Sequence, residues 1–266
     1  GMAMETIARE LVPAGGESVK ERKNKQENPL KINILGATPL DFSINSTLDS
    51  IKEFLSQHFE IISIFAMGST IEDIQRAGEA DVNLVISSVG VLAAKVLEER
   101  FPTPYVIGTP LIGFDNVLAA KLIESAWTKK SQTAYFSVLQ KAHKKDTANF
   151  TTIQNTEAVS NLKKIRSLTE TIEKNKVSGN VYIIGESVIS QSLKAALVLR
   201  YGIEAAVICP LETEPEYTEK DVLLLSSEED IKEAIMDADT VIADPIYKTI
   251  CSEKVNFVAM PHEAYS

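Results

Sequence analysis

His262 is the residue of this chain whose type and position point most directly to chemistry. It follows the apolar run Asn256–Ala259 and the pair Met260-Pro261, where a strand of a sheet would end. An imidazole there can ligate a metal or donate a proton toward a cleft between two lobes. A lone histidine makes no site, so its partners have to come from other strand ends. Ser87, Ser88 and Gly90 stand at one such end, after the apolar run 82–86, and offer hydroxyls and backbone amides to a ligand or cofactor. The same residues can equally cap the helix that follows. Gly36 and Gly185 close two more apolar runs, where a phosphate can meet a helix amino terminus. A single glycine is also what any tight strand-to-helix turn uses.

The other candidates carry less. His58 and His143 fall on helical stretches among charged residues, which puts them on the surface. The two cysteines, Cys209 and Cys251, stand far apart and fit no CxxC or zinc spacing, so they read as small buried residues in a reducing compartment. The chain offers no Ser-His-Asp set, no HExxH, no defensible paired-carboxylate spacing and no GxGxxG.

The elements that would position these residues alternate strand and helix. The stretch 81–110, DVNLVISSVGVLAAKVLEERFPTPYVIGTP, holds a complete strand, helix and strand. Val91, Leu92, Val96 and Leu97 recur at helical spacing, and Phe101, Pro102 and Pro104 end that helix before Tyr105, Val106 and Ile107. Such a βαβ unit implies a parallel sheet with a right-handed crossover, whose ligands sit beyond the carboxyl ends of the strands. Before it come a strand at KINILG, a helix over about 47–58, a strand at 60–65 and a short helix capped by Ser69 or Thr70. These predict four strands over 31–112. A helical pattern follows over 114–145, then a polar break at 146–156 and a helix ending near 175. NVYIIGE opens a second alternation, with a helix closed by Gly202, strands at 205–209, 223–225, 240–243 and 256–259, and a helix capped by Ser227. The expected fold is α/β, with two Rossmann-like lobes of mostly parallel sheet joined by long helices. The domains read as 1–30, an amino-terminal helix and connector; 31–128, a Rossmann-like domain; 129–178, bridging helices; and 179–266, a second Rossmann-like domain.

With 266 residues, 44% hydrophobic and 24% charged, the composition is globular. The net charge of -10 argues against a nucleic-acid or anionic-membrane surface, since the only basic clusters are short ones near 20–25 and 141–145. No apolar run reaches membrane-spanning length and no signal-peptide pattern opens the chain, which predicts a cytoplasmic protein. Gly1 ahead of Met2 reads as a cloning remnant, with the native start at Met2 or upstream of it.

Several stretches together resemble the nitrogenase component 1 family, which comprises the nitrogenase molybdenum-iron protein subunits with their cofactor-scaffold and protochlorophyllide-reductase relatives. KINILG resembles the strand that opens a middle domain of that family. FAMGSTIEDIQRAGEADVNLVIS followed by LEERFPTPYVIGTPLIGFD looks like its strand, helix and strand, and ADTVIADPIYKTICSEKVNFVAMPHEAYS is similar to its closing segment. The resemblance implies an oxidoreductase chain made of Rossmann-like domains around a metal-sulfur cluster. It also implies a homologous component 1 subunit as partner and electrons from an ATP-dependent iron protein reductase.

Two departures stand beside it. No cysteine precedes Cys209, so the first, cysteine-bearing domain for an iron-sulfur cluster is missing and the chain looks like a two-domain piece, either excised or naturally short. The family's ligating histidine falls on His262, as metal ligand, while its ligating cysteine falls on Ser87, and serine is a poor soft-metal ligand. The alternatives are a non-catalytic metallocofactor scaffold or small-molecule-binding protein of the same fold, and a nucleotide- or sugar-nucleotide-handling enzyme. The last is disfavoured by the absent glycine fingerprint.

Overall fold

The computed structural model describes residues 1–13, 29–42, 47–143, 179–211 and 213–260. The chain divides into two units, the first made of residues 1–110 and 116–134, the second of 111–115 and 135–266. The polar break at 146–156 and the helix read up to 175 lie outside the described residues, as does His262.

The first unit contains α1 (Met2–Glu10), β1 (Leu30–Leu35), α2 (Pro39–Phe42), α3 (Thr47–Ser56), β2 (Phe59–Ile64), α4 (Ile71–Gln75), β3 (Val82–Val85), α5 (Val91–Arg100), β4 (Tyr105–Ile107), α6 (Asp115–Thr128) and β5 (Gln132–Thr133). Its five strands run in the order β2-β1-β3-β4-β5, and every pairing is parallel. The helical spacing in α3 does what periodicity requires, since Leu48, Ile51, Phe54 and Leu55 are all buried. Of the two candidate caps for α4, Thr70 is the one used. Its hydroxyl accepts from Asp73 N at 3.2 Å while its own N–H donates to the Asp73 carboxylate at 2.9 Å. Ser69 instead accepts the Ile64 amide at 2.7 Å.

The fifth strand departs from the sequence expectation, lying within the stretch 114–145 that reads as one helical pattern. That pattern breaks at Lys129, whose φ of 55° ends α6, and two residues are too few to show a strand period. α1 packs on α5, where Arg100 donates to the carbonyls of Ala8, Arg9 and Val12 at 2.6–2.7 Å, occupying the acceptors that the end of a helix leaves open. A polar rung crosses the sheet interior. A register shift after Ile32 sets Asn33 opposite Ser63 on one side and Asn83 on the other, and their side chains are bonded at 2.7 Å each.

The second unit contains α7 (Phe136–His143), β6 (Val181–Ile184), α8 (Ser187–Tyr201), β7 (Ala205–Cys209), β8 (Leu223–Leu224), α9 (Glu228–Ala234), β9 (Thr240–Ala243) and β10 (Asn256–Ala259). Its order is β10-β9-β6-β7-β8, again parallel throughout. Side chains alternate across this sheet. Val181, Ile183, Val207 and Cys209 meet Leu193 and Leu197 of α8 in one cluster. Ile184, Ile208, Val241 and Ala243 meet Ile231, Ile235 and Ile250 in the other. Gly202 closes α8 with φ 66°, and Ser227 caps α9 by accepting from Asp230 N, both as the sequence indicates. The α/β class with parallel sheets therefore holds in both units.

Candidate functional site

In each sheet the first strand is an interior one and the order reverses beside it, between β1 and β3 in the first unit and between β6 and β9 in the second. That reversal point, at the carboxyl ends, is where a doubly wound sheet opens a crevice for a ligand. In the first unit it is flanked by Gly36 and Ser87, two of the residues singled out by sequence.

The structure brings Gly36, Ser87 and Gly90 together and closes them on one another. Ser87 is fully buried, and its hydroxyl donates to the Gly36 carbonyl at 2.6 Å. It makes no side-chain capping bond to the turn that follows, and neither does Gly90 at the start of α5. The hydroxyl is thus neither a helix cap nor presented outward. Gly36 has φ +88°, and a Cβ there would lie 2.6 Å from Ser87 Oγ. A Cβ on Gly90 would lie 2.7 Å from Gly36 N. Ser88, half-buried, lies in the 3-10 turn between them. One strand further on, Thr109 repeats the device, its buried hydroxyl donating to Ile86 O at 2.8 Å.

In the second unit the crevice position is flanked by Gly185 and Asp244, and carboxylates already occupy the helix starts. Glu186 accepts from Ile189 N at 2.9 Å at the head of α8. Asp244 accepts from Ile246 N at 2.9 Å. A phosphate would meet a negative charge at each, so the phosphate reading of Gly185 gains no support from this geometry. A Cβ on Gly185 would meet Ser190 Oγ at 3.0 Å and Met260 Cε at 3.1 Å, which makes this turn a close-packed one.

The thiols are not activated. Burial pushes the Cys209 thiol above its ordinary pKa, and the nearby Glu186 charge adds to this against hydrogen bonds with the Leu211 and Ser187 backbone. Burial alone raises Cys251. At both, burial thus favours the neutral thiol, the less nucleophilic form. Among the described residues no group of three His, Cys, Asp or Glu is placed to hold a metal ion. With the Ser87 hydroxyl turned onto Gly36, the described residues do not by themselves fit a metal-sulfur cluster. His58 is exposed and packs edge-on against Phe54 and Phe59, with ring centroids 5.7 and 6.2 Å away, which is the surface role expected of it. The side chain of His143 lies outside the described residues.

Sequence reasoning missed a buried polar set in the second unit, Tyr135, Gln191 and Lys194. Burial foremost, then the charges of Glu186, Tyr217 and Glu219, raises the Tyr135 pKa well above its ordinary value, so its hydroxyl remains a donor. Gln and Lys on a helix ordinarily signal an exposed face, and nothing in their spacing marks them otherwise.

The sequence profile of the nitrogenase component 1 type oxidoreductases matches residues 1–244. The chain belongs to that family. Among curated relatives, a light-independent protochlorophyllide reductase subunit of Nostoc punctiforme is 30% identical over 82 residues, 30% of this chain and 16% of that protein. The corresponding protein of Rhodopseudomonas palustris is 35% identical over 107 residues, 40% of this chain and 19% of that protein. The fold matches nitrogenase Cp1 solved at pH 5 with a TM-score of 0.51 and 13% identity, over 94% of this chain and 53% of that one. The pH 6.5 structure gives 0.51 and 16%, over 96% and 56%. This component 1-type chain thus spans about half the length of the solved nitrogenase chains, and its matches cover less than a fifth of the curated relatives. Among the described residues no helix is long and apolar enough to cross a membrane.

Proposed function

We propose that the chain is a nitrogenase component 1-like oxidoreductase subunit, or a piece of one. The observation that carries this is the family match over residues 1–244, joined to two parallel five-stranded sheets. In this reading the protein binds a metal-sulfur cluster or a substrate, with His262 as the metal ligand contributed by the second unit and Ser88 and Gly90 as binding residues of the first. Ser87 holds their turn through Gly36. It works in the cytoplasm with a homologous component 1 partner and receives electrons from an ATP-dependent iron protein. A cluster would supply the electron transfer, and the chain's own part is binding and orientation. The activity named for the curated relatives, light-independent protochlorophyllide reduction, supports an oxidoreductase role for the complex of which this chain would form part.

A second reading is favoured by the inward-turned Ser87 hydroxyl. It is a non-catalytic metallocofactor scaffold or small-molecule-binding protein of the same fold. His262→Ala tests the metal-ligand role of that residue. The oxidoreductase reading expects a loss of metal or ligand affinity with stability unchanged to within about 1 kcal/mol. A large stability loss with unchanged binding assigns His262 to packing instead.

A further inference from the structure

The connector between β7 and β8 is held by side chains that ordinarily face water. Gln191, on α8, is fully buried. Its amide nitrogen donates toward the Ser187 hydroxyl at 2.9 Å, the Ser187 carbonyl at 3.1 Å and the Tyr217 carbonyl at 3.2 Å. Its amide oxygen accepts from Glu219 N at 2.7 Å. Tyr135, equally buried, donates its hydroxyl to the same Tyr217 carbonyl. One turn along α8, Lys194 donates to the Asp221 carboxylate at 2.6 Å with only 7% of its side chain exposed. Ser187, Gln191 and Lys194 are spaced four and three apart and share one helix face. That face meets the connector at alternate positions, Tyr217, Glu219 and Asp221.

Burying an amide, a phenol and an ammonium is costly unless each is bonded. Bonded, they fix position in a way that apolar contact does not, because hydrogen bonds specify which backbone atom sits where. Cys209 lies near both ends of the connector. Its Sγ lies 3.5 Å from Leu211 O where the connector starts, and it shares an apolar cluster with Val222 where the connector ends.

We infer that Gln191, Tyr135 and Lys194 form a latch that positions the β7–β8 connector along α8, and that losing the latch opens the connector as a unit and exposes Cys209, which packs against its two ends. None of this depends on the family's redox chemistry.

The test uses the full chain with Gln191→Leu and, separately, Tyr135→Phe, which keeps the ring and removes one hydroxyl. Amide hydrogen exchange is followed by region, and both thiols are labelled with a disulfide reagent, Cys251 serving as the internal reference. The latch predicts that exchange across 213–222 and labelling of Cys209 rise roughly tenfold or more, the scale of one lost hydrogen bond. The amides of β6 and β9 and the thiol of Cys251 keep their wild-type rates. Equal acceleration throughout the second unit, in the variants that fold, would reduce these residues to general packing and overturn the inference. So would unchanged exchange at 213–222 in Tyr135→Phe.

Discussion

The Ser87 hydroxyl donates to the Gly36 carbonyl at 2.6 Å, tying the end of β3 to the end of β1 at the point where the strand order reverses. Removing it in Ser87→Ala takes a buried donor from that carbonyl, and the expected cost is about 1–3 kcal/mol. Chemical denaturation measures this directly. Because the hydroxyl faces the neighbouring turn, ligand affinity should fall no further than the folded fraction does.

The two glycines of this junction are fixed by backbone approach. Gly36→Ala places a Cβ at φ +88° and 2.6 Å from Ser87 Oγ, and Gly90→Ala places one 2.7 Å from Gly36 N. Each variant should lose about 1–3 kcal/mol or more by thermal melting. At Gly68, φ is +83° but an added Cβ would have nothing within 4 Å. Gly68→Ala therefore serves as the strain-only comparison and should lose less.

Glu79 joins Arg76, at 2.9 and 3.1 Å, to Lys31, at 3.0 Å. Above all the Arg76 hydrogen bond, helped by Lys31, holds its carboxyl at a pKa of about 2, against about 4.3 in an unfolded chain. A lowered folded pKa stabilises fully above the unfolded value, and that stabilisation is lost as pH falls from about 4.3 toward 2. Glu79→Gln should therefore flatten the acid limb of stability in this window. Solvent screening keeps the effect below about 1 kcal/mol, and urea titrations at stepped pH read it.

Arg100 closes the carboxyl end of α1 through three carbonyls. Arg100→Ala should release α1, seen as faster amide exchange over residues 2–10 with the sheet amides unchanged, at a cost of about 1.5–3 kcal/mol for bonds from a charged donor. Arg100→Lys should recover only part, since a point donor cannot serve three acceptors as a fork does.

Periodicity and caps make most of the fold legible in the sequence. The α3 face, the Thr70 box and the Gly202 stop follow from local rules, and so do nine of the ten strands among the described residues. The tenth, Gln132–Thr133, has two residues and no pattern of its own. The site is less legible. Ser87, Ser88 and Gly90 stand out because a strand end is visible in sequence, but whether Ser87 faces a ligand or Gly36 is decided by how close two backbones come. Gln191 and Lys194 give no sign of burial, because a polar residue on a helix looks the same whether it meets water or a connector.

The most direct test is iron and acid-labile sulfide content of protein purified without oxygen from its full native reading frame, beside the His262→Ala form. The oxidoreductase reading predicts bound iron and sulfide in the native form and a clear loss of iron in the variant. No iron in either form would contradict it and leave the family membership as a statement about fold, with a scaffold or small-molecule-binding role in its place.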